Sequence, residues 1–147
     1  MLKKVFLMVL CAALLAATGL MLTACNNTEE VNPVQTFIDE NREMLDEVSA
    51  DHLSDLGPGA TVDFQAGDNE FIYVYTWGPG PTAEELEEAT TSFLDMPANV
   101  VTYENLANSL ASLMELEALT LTVSYYDGQG ELVMTRSFEA TGAPAAE

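Results

Sequence analysis

Residues 70–77 read Glu-Phe-Ile-Tyr-Val-Tyr-Thr-Trp, aromatic or β-branched almost throughout, the composition that suits a pleated, half-buried surface. Gly67-Asp68-Asn69 precedes the run and Gly78-Pro79-Gly80-Pro81 follows it, so turn chemistry bounds it on one side and a breaker on the other. A strand this apolar belongs in the middle of a sheet, and the sheet needs partners. Val62, Phe64 and Ala66 alternate with Asp63 and Gln65, which predicts a strand pairing with it as a hairpin. Leu119, Leu121, Val123 and Tyr125 alternate with Thr120, Thr122, Ser124 and Tyr126, and residues 131–138 return after Asp127-Gly128-Gln129-Gly130.

A helical period precedes each hairpin. Asn32-Pro33 pairs a good N-cap with a proline suited to the first turn. Val34, Phe37, Ile38, Leu45 and Val48 then recur at helical spacing until Gly57-Pro58-Gly59. Thr82 and Glu85 have the spacing of a capping box, and Leu86, Phe93 and Leu94 begin an apolar stripe that continues through Val100, Leu106, Leu110 and Met114. Pro97 falls inside that stripe, so one long element kinked or broken near residues 95–97 is expected. The order helix, hairpin, helix, hairpin predicts an α+β fold: a four-stranded antiparallel sheet with the helices packed on one face.

Residues 1–25 have a different character. Lys3-Lys4, an apolar run over residues 5–22 and Leu22-Thr23-Ala24-Cys25 form a three-part leader. The last four residues resemble the lipobox of bacterial lipoproteins, in which the cysteine thiol receives a diacylglyceryl group and small residues fit the peptidase cleft. The resemblance implies a signal peptide over residues 1–24 and a lipidated tether over 25–32, while patterning predicts a single domain over 33–139 and the composition of residues 140–147 a disordered tail. The resemblance places the domain on the outer face of the cell membrane, held by acyl chains such as palmitate on Cys25, where two chains hold what one holds only marginally. An uncleaved transmembrane anchor is the alternative, since the apolar run is long enough to span. Cys11 would leave with the leader, so no disulfide is expected and the fold rests on its core.

Charge narrows the partners. With Lys3 and Lys4 removed, 24 acids face only Arg42 and Arg136, formally −22 in a chain without lysine. Binding to nucleic acid through a basic patch and adhesion to anionic lipid are excluded on that ground. Catalytic chemistry finds little support. His52 is the single histidine, in Asp51-His52-Leu53-Ser54-Asp55, where it meets a helix end or a nearby acid; no serine has a nucleophile context. Paired carboxylates are too abundant to be informative, and no zinc site is expected. Asp68-Asn69-Glu70 and Asp127-x-Gln129-x-Glu131 put oxygens in turns, but neither fits a twelve-residue calcium loop. No cofactor and no metal is called for.

Phe37-Ile38-Asp39-Glu40-Asn41, the strand ending in Tyr75-Thr76, Leu106-Ala107-Asn108-Ser109-Leu110 and residues 121–127 with Gly130-Glu131-Leu132 resemble a family of small lipoproteins of Gram-positive bacteria built on a domain of unknown function. The resemblance spans most of residues 33–138 and carries core and turn positions, so it implies the fold and a cell-surface setting but no catalytic or binding residue.

The candidate binding surface comes from the sheet. If Ile72 and Val74 join Leu121 and Val123 against the helices, then Tyr73, Tyr75 and Trp77 lie on the open face with Tyr126 and the threonines, a surface for a peptide, glycan or partner protein. The other phase buries the rings in the core, as large aromatics usually are. The expectation is a membrane-tethered, non-catalytic interaction domain for an envelope protein. The alternative is a small-ligand or cation-binding lipoprotein serving a transporter or sensor.

Overall fold

The computed structural model describes residues 31–56 and 58–141, without the side chains of 51, 52 and 54–56. The leader, Cys25 and the end of the tail therefore lie outside the described residues, as does the His52 side chain.

Helix α1 (Pro33–Glu40) starts as its sequence dictates. The Asn32 side chain accepts hydrogen bonds from the amides of Val34 and Gln35, at 2.9 and 3.3 Å, satisfying donors that the first helical turn leaves open. The other end of that side chain donates to the Gly67 carbonyl at 2.8 Å, which fastens the start of the domain to the far end of strand β1 (Thr61–Gly67). Asn41 interrupts the helix with φ −109° and ψ 14°, and α2 (Arg42–Leu56) follows at once. Strand β2 (Glu70–Thr76) completes a hairpin whose turn is closed by Asn69 at φ 50°. Helices α3 (Ala83–Leu94) and α4 (Pro97–Leu113) then lead to strands β3 (Thr120–Tyr126) and β4 (Leu132–Glu139). The stripe that sequence runs through Pro97 is thus two helices. Residues 95 and 96 lie between them, because proline fits the first turn of a new helix and not the interior of an old one.

The four strands form one sheet in the order β1-β2-β3-β4. Both hairpins are antiparallel, but the central pair β2 and β3 is parallel, which corrects the expected all-antiparallel sheet. The reason is the path of the connection. Helices α3 and α4 carry the chain from the end where β2 finishes back to the end where β2 began, so β3 sets out in the same direction, as parallel neighbours joined by a helical crossover must.

Register then decides which side chains share a face. Phe71 lies opposite Ala66 on β1 and Leu121 on β3; Tyr73 lies between Phe64 and Val123; Tyr75 lies between Val62 and Tyr125. This row faces the helices and forms the core with Val34, Ile38, Leu45, Leu94, Leu106 and Leu110. Phe71, Leu121 and Val123 have no accessible surface, and burying one such side chain contributes about 1.5–3 kcal/mol. Aromatic contacts knit the layers: Phe37 of α1 meets the Phe71 ring edge-on at 6.3 Å, and Tyr103 of α4 stacks on Phe138 of β4 at 4.8 Å.

The opposite face carries Asp63, Gln65, Ile72, Val74, Thr122, Ser124, Thr135 and Ser137. Their hydroxyls pair across strands: Thr122 with Ser137 at 2.9 Å and Ser124 with Thr135 at 3.0 Å, while Thr122 also donates to the Glu70 carboxylate. Thr122 and Ser124 are each only 7% exposed, so the hydroxyls satisfy one another where water reaches poorly.

Beyond β4, the Ala140 amide donates to the Leu119 carbonyl and the Asn108 side chain reaches the Thr141 hydroxyl. Ala140 and Thr141, the first two residues of the segment expected to be a disordered tail, are thus packed on the domain; residues 142–147 lie outside the described residues.

Candidate functional site at the distal end of the sheet

The ring surface expected from sequence does not form. Tyr73 and Tyr75 are 6% exposed and face the helices, stacked at 6.1 Å on each other and at 5.1 Å from Tyr75 to Tyr125. Trp77 is half-buried against the same core, with its indole N–H buried and unpaired among the described residues. Tyr126 is half-buried at the end of β3, and its carbonyl accepts the Trp77 amide at 2.9 Å. Alternation along β2 has two phases of equal regularity. The phase is set by β3, whose Leu121 and Val123 point to the helices and carry their register partners Phe71 and Tyr73 with them.

Burial acts on the phenols of this cluster. Desolvation pushes the Tyr103 hydroxyl up to about 12, opposed by its hydrogen bond with Tyr125. It also raises Tyr125 and Tyr75 well above the ordinary phenol value, aided by the neighbouring phenols. These side chains build the core.

What the parallel pair does create is a cleft. Strands β2 and β3 end side by side, so the loops that follow them flank one another, the arrangement in which open sheets commonly bind ligands. Pro79, Gly80, Pro81, Thr82 and Ala83 form one wall, and Asp127, Gly128, Gln129 and Glu131 the other, around about 420 Å³. Three glycine-containing turns meet beneath it. A Cβ at Gly78 would overlap the Pro58 carbonyl oxygen, and one at Gly128 would fall 3.1 Å from the Gly78 carbonyl oxygen. Pro58 and Gly59 are thereby packed against Gly78 and Pro79.

Both walls are held in shape locally. Asp127, 7% exposed, accepts the amides of Gln129 and Glu131 at 2.9 Å each and closes the β3–β4 turn. Thr82 caps α3 by accepting the Glu85 amide at 3.3 Å. The Glu85 carboxylate in turn accepts the Thr82 amide and hydroxyl at 3.0 Å, which holds that carboxyl below its usual range. Gly80 and Gly130 take positive φ, 143° and 84°, and beside both there is open space.

The cleft lies at the opposite end of the sheet from Asn32, the start of the domain. Asn32 is bound to Gly67, where β1 ends, whereas Thr61, Thr76 and Tyr126 lie at the other end. Seven-residue strands separate the two ends by about 20 Å. A shallower, more apolar cleft of about 320 Å³, lined by Val31, Phe37, Leu113 and Met114 among others, sits beside the start of α1.

Sequence reasoning missed the cleft because its walls are far apart along the chain. The available signal was that Gly78-Pro79-Gly80-Pro81 and Asp127-Gly128-Gln129-Gly130 each directly follow a strand. The second of these reads in sequence as a hairpin turn whose oxygens fit no calcium loop, with nothing local to pair it with the first. Among the described residues no group of three or more histidine, cysteine or acidic side chains is arranged to hold a metal ion.

A family model described as a domain of unknown function (DUF4854) matches residues 34–138. No curated protein and no solved structure matches the chain.

Proposed function

Because the chain belongs to the DUF4854 family, whose description carries no activity, we propose a role from its own residues: a non-catalytic interaction domain, tethered by lipid on Cys25 to the outer face of the membrane of a Gram-positive cell. The lipobox-like Leu22-Thr23-Ala24-Cys25 supports the anchor. Among the described residues no helix is long and apolar enough to cross a membrane. The observation that carries the reading is the placement of the tether root and the cleft at opposite ends of the sheet. A domain hung from residues 26–31 holds its Gly-Pro loops outward, toward whatever else the envelope contains, and the partner proposed is an envelope protein. The volume of the cleft also favours the second reading, a small-ligand lipoprotein serving a transporter or sensor.

Two measurements test this. Cells fed an alkyne-bearing palmitate analogue should label the wild-type protein in the membrane fraction, and Cys25→Ser should abolish the label and leave the leader uncleaved. A label that survives the substitution would refute the anchor. Photo-crosslinkers placed at Gln129 and at Asp68 then compare the two ends on living cells, with protein adducts expected from Gln129. Adducts confined to Asp68 would show that the wrong end had been assigned.

A further inference from the structure

We propose that the distal cleft receives a lysine or arginine side chain from an extended segment of the partner protein. The proposal rests on the reading above, in which this end faces outward, and names the chemistry that the end selects.

Charge is the first argument. The charged side chains lining the cleft are Asp127 and Glu131, both acidic, and Glu84 and Glu85 stand beside them in the first turn of α3. No cation of the domain itself lines this space. Arg42 is bound to Asp46 and Asp63, Arg136 is bound to Asp95, and residues 25–147 contain no lysine. An anion is disfavoured even though a helix begins here, because Thr82 and Glu85 already occupy the capping positions and Glu84 adds negative charge.

Shape is the second argument. The rings of Pro79 and Pro81 give one wall an apolar surface, suited to the methylene stem of a long basic side chain whose charged head stays polar. Gly80, which lines the cleft, leaves open space where a side chain would stand, so a ligand can approach the main chain, whose carbonyls an ammonium or guanidinium requires. The field of the whole acidic domain steers such a partner toward encounter, and the cleft supplies the register.

The test uses residues 26–147 and capped pentapeptides Ala-Ala-X-Ala-Ala, with X lysine, arginine, norleucine or glutamate, followed by amide chemical shifts at physiological ionic strength. Lysine or arginine peptides should move residues 79–83 and 127–131 saturably, and norleucine and glutamate peptides should not. Glu131→Gln should weaken binding by about tenfold, the scale of one charge-assisted contact, and Ala83→Trp should block it by filling the cleft. Glu43→Gln on α2 should change nothing, and melting midpoints would show that each variant is folded. Equal weakening by Glu131→Gln and Glu43→Gln, or shifts spread over the whole surface, would overturn the proposal in favour of diffuse charge attraction. Binding of calcium or butylamine at the same residues without peptide preference would overturn it in favour of a small-ligand site. If peptides fail while Gln129 crosslinks persist on cells, the inference alone falls and the outward-facing reading stands.

Discussion

A Cβ at Gly78 would overlap the Pro58 carbonyl oxygen and fall 3.1 Å from its carbonyl carbon, and both are backbone atoms that no rotamer change can move aside. Gly78→Ala should therefore destabilise the domain by about 3 kcal/mol, at the upper end for overpacking, as a lowered urea midpoint would register. The phenols make a different prediction, about pH. Desolvation holds Tyr103 at about 12 in the folded protein against 10.0 unperturbed, and Tyr75 and Tyr125 are shifted the same way. A folded-state pKa above the unfolded value means the native state keeps protons that the unfolded chain releases. This contribution is complete below about pH 10 and is lost progressively as the pH rises toward about 12. Urea midpoints that stay level from pH 9 to 12, or tyrosinate absorbance that is fully developed before the fold is lost, would contradict the buried cluster.

Among the elements, starts and turns were the legible part. Asn32-Pro33, the Thr82/Glu85 box, Gly67-Asp68-Asn69 and Asp127-Gly128-Gln129-Gly130 each act through side chains within a few residues, and local chemistry needs no knowledge of the rest of the fold. Thr82→Ala should cost about 1 kcal/mol by leaving an α3 amide unpaired, measured as a fall in unfolding free energy. Glu85, whose folded pKa is lowered, stabilises the cap above its unfolded value and ceases to do so as the pH falls through the folded one. Orientation was not legible. The direction of β3 relative to β2 depends on where α4 returns the chain, and nothing within β3 records it. Nor does Phe71-Ile72-Tyr73-Val74-Tyr75 reveal its inner phase, since rings and aliphatics alternate equally well until Leu121 and Val123 are set beside them. The candidate cleft was hidden for the same reason, because it exists only if Pro79 and Asp127 follow parallel neighbours.

Over the whole molecule, acids so outnumber the two arginines of residues 25–147 that self-repulsion acts against compaction. The melting midpoint of residues 26–147 should rise with sodium chloride and level off once screening is complete; a midpoint indifferent to salt would mean that the charges lie too far apart to repel. The Asn32–Gly67 hydrogen bond has a last consequence. With the proposed anchor at one end of the sheet and the proposed partner at the other, any tug between cell and partner would run lengthwise along the strands. The ladder between β2 and β3 would then be sheared with all its bonds loaded together, whereas a sideways pull would unzip them one after another. Force spectroscopy from residue 25 to residue 129 should record a higher rupture force than a pull from residue 61 to residue 132, which lie in one row across the strands. By that measure the domain is a stiff link in a mechanical chain, strongest along the line in which its anchor draws it.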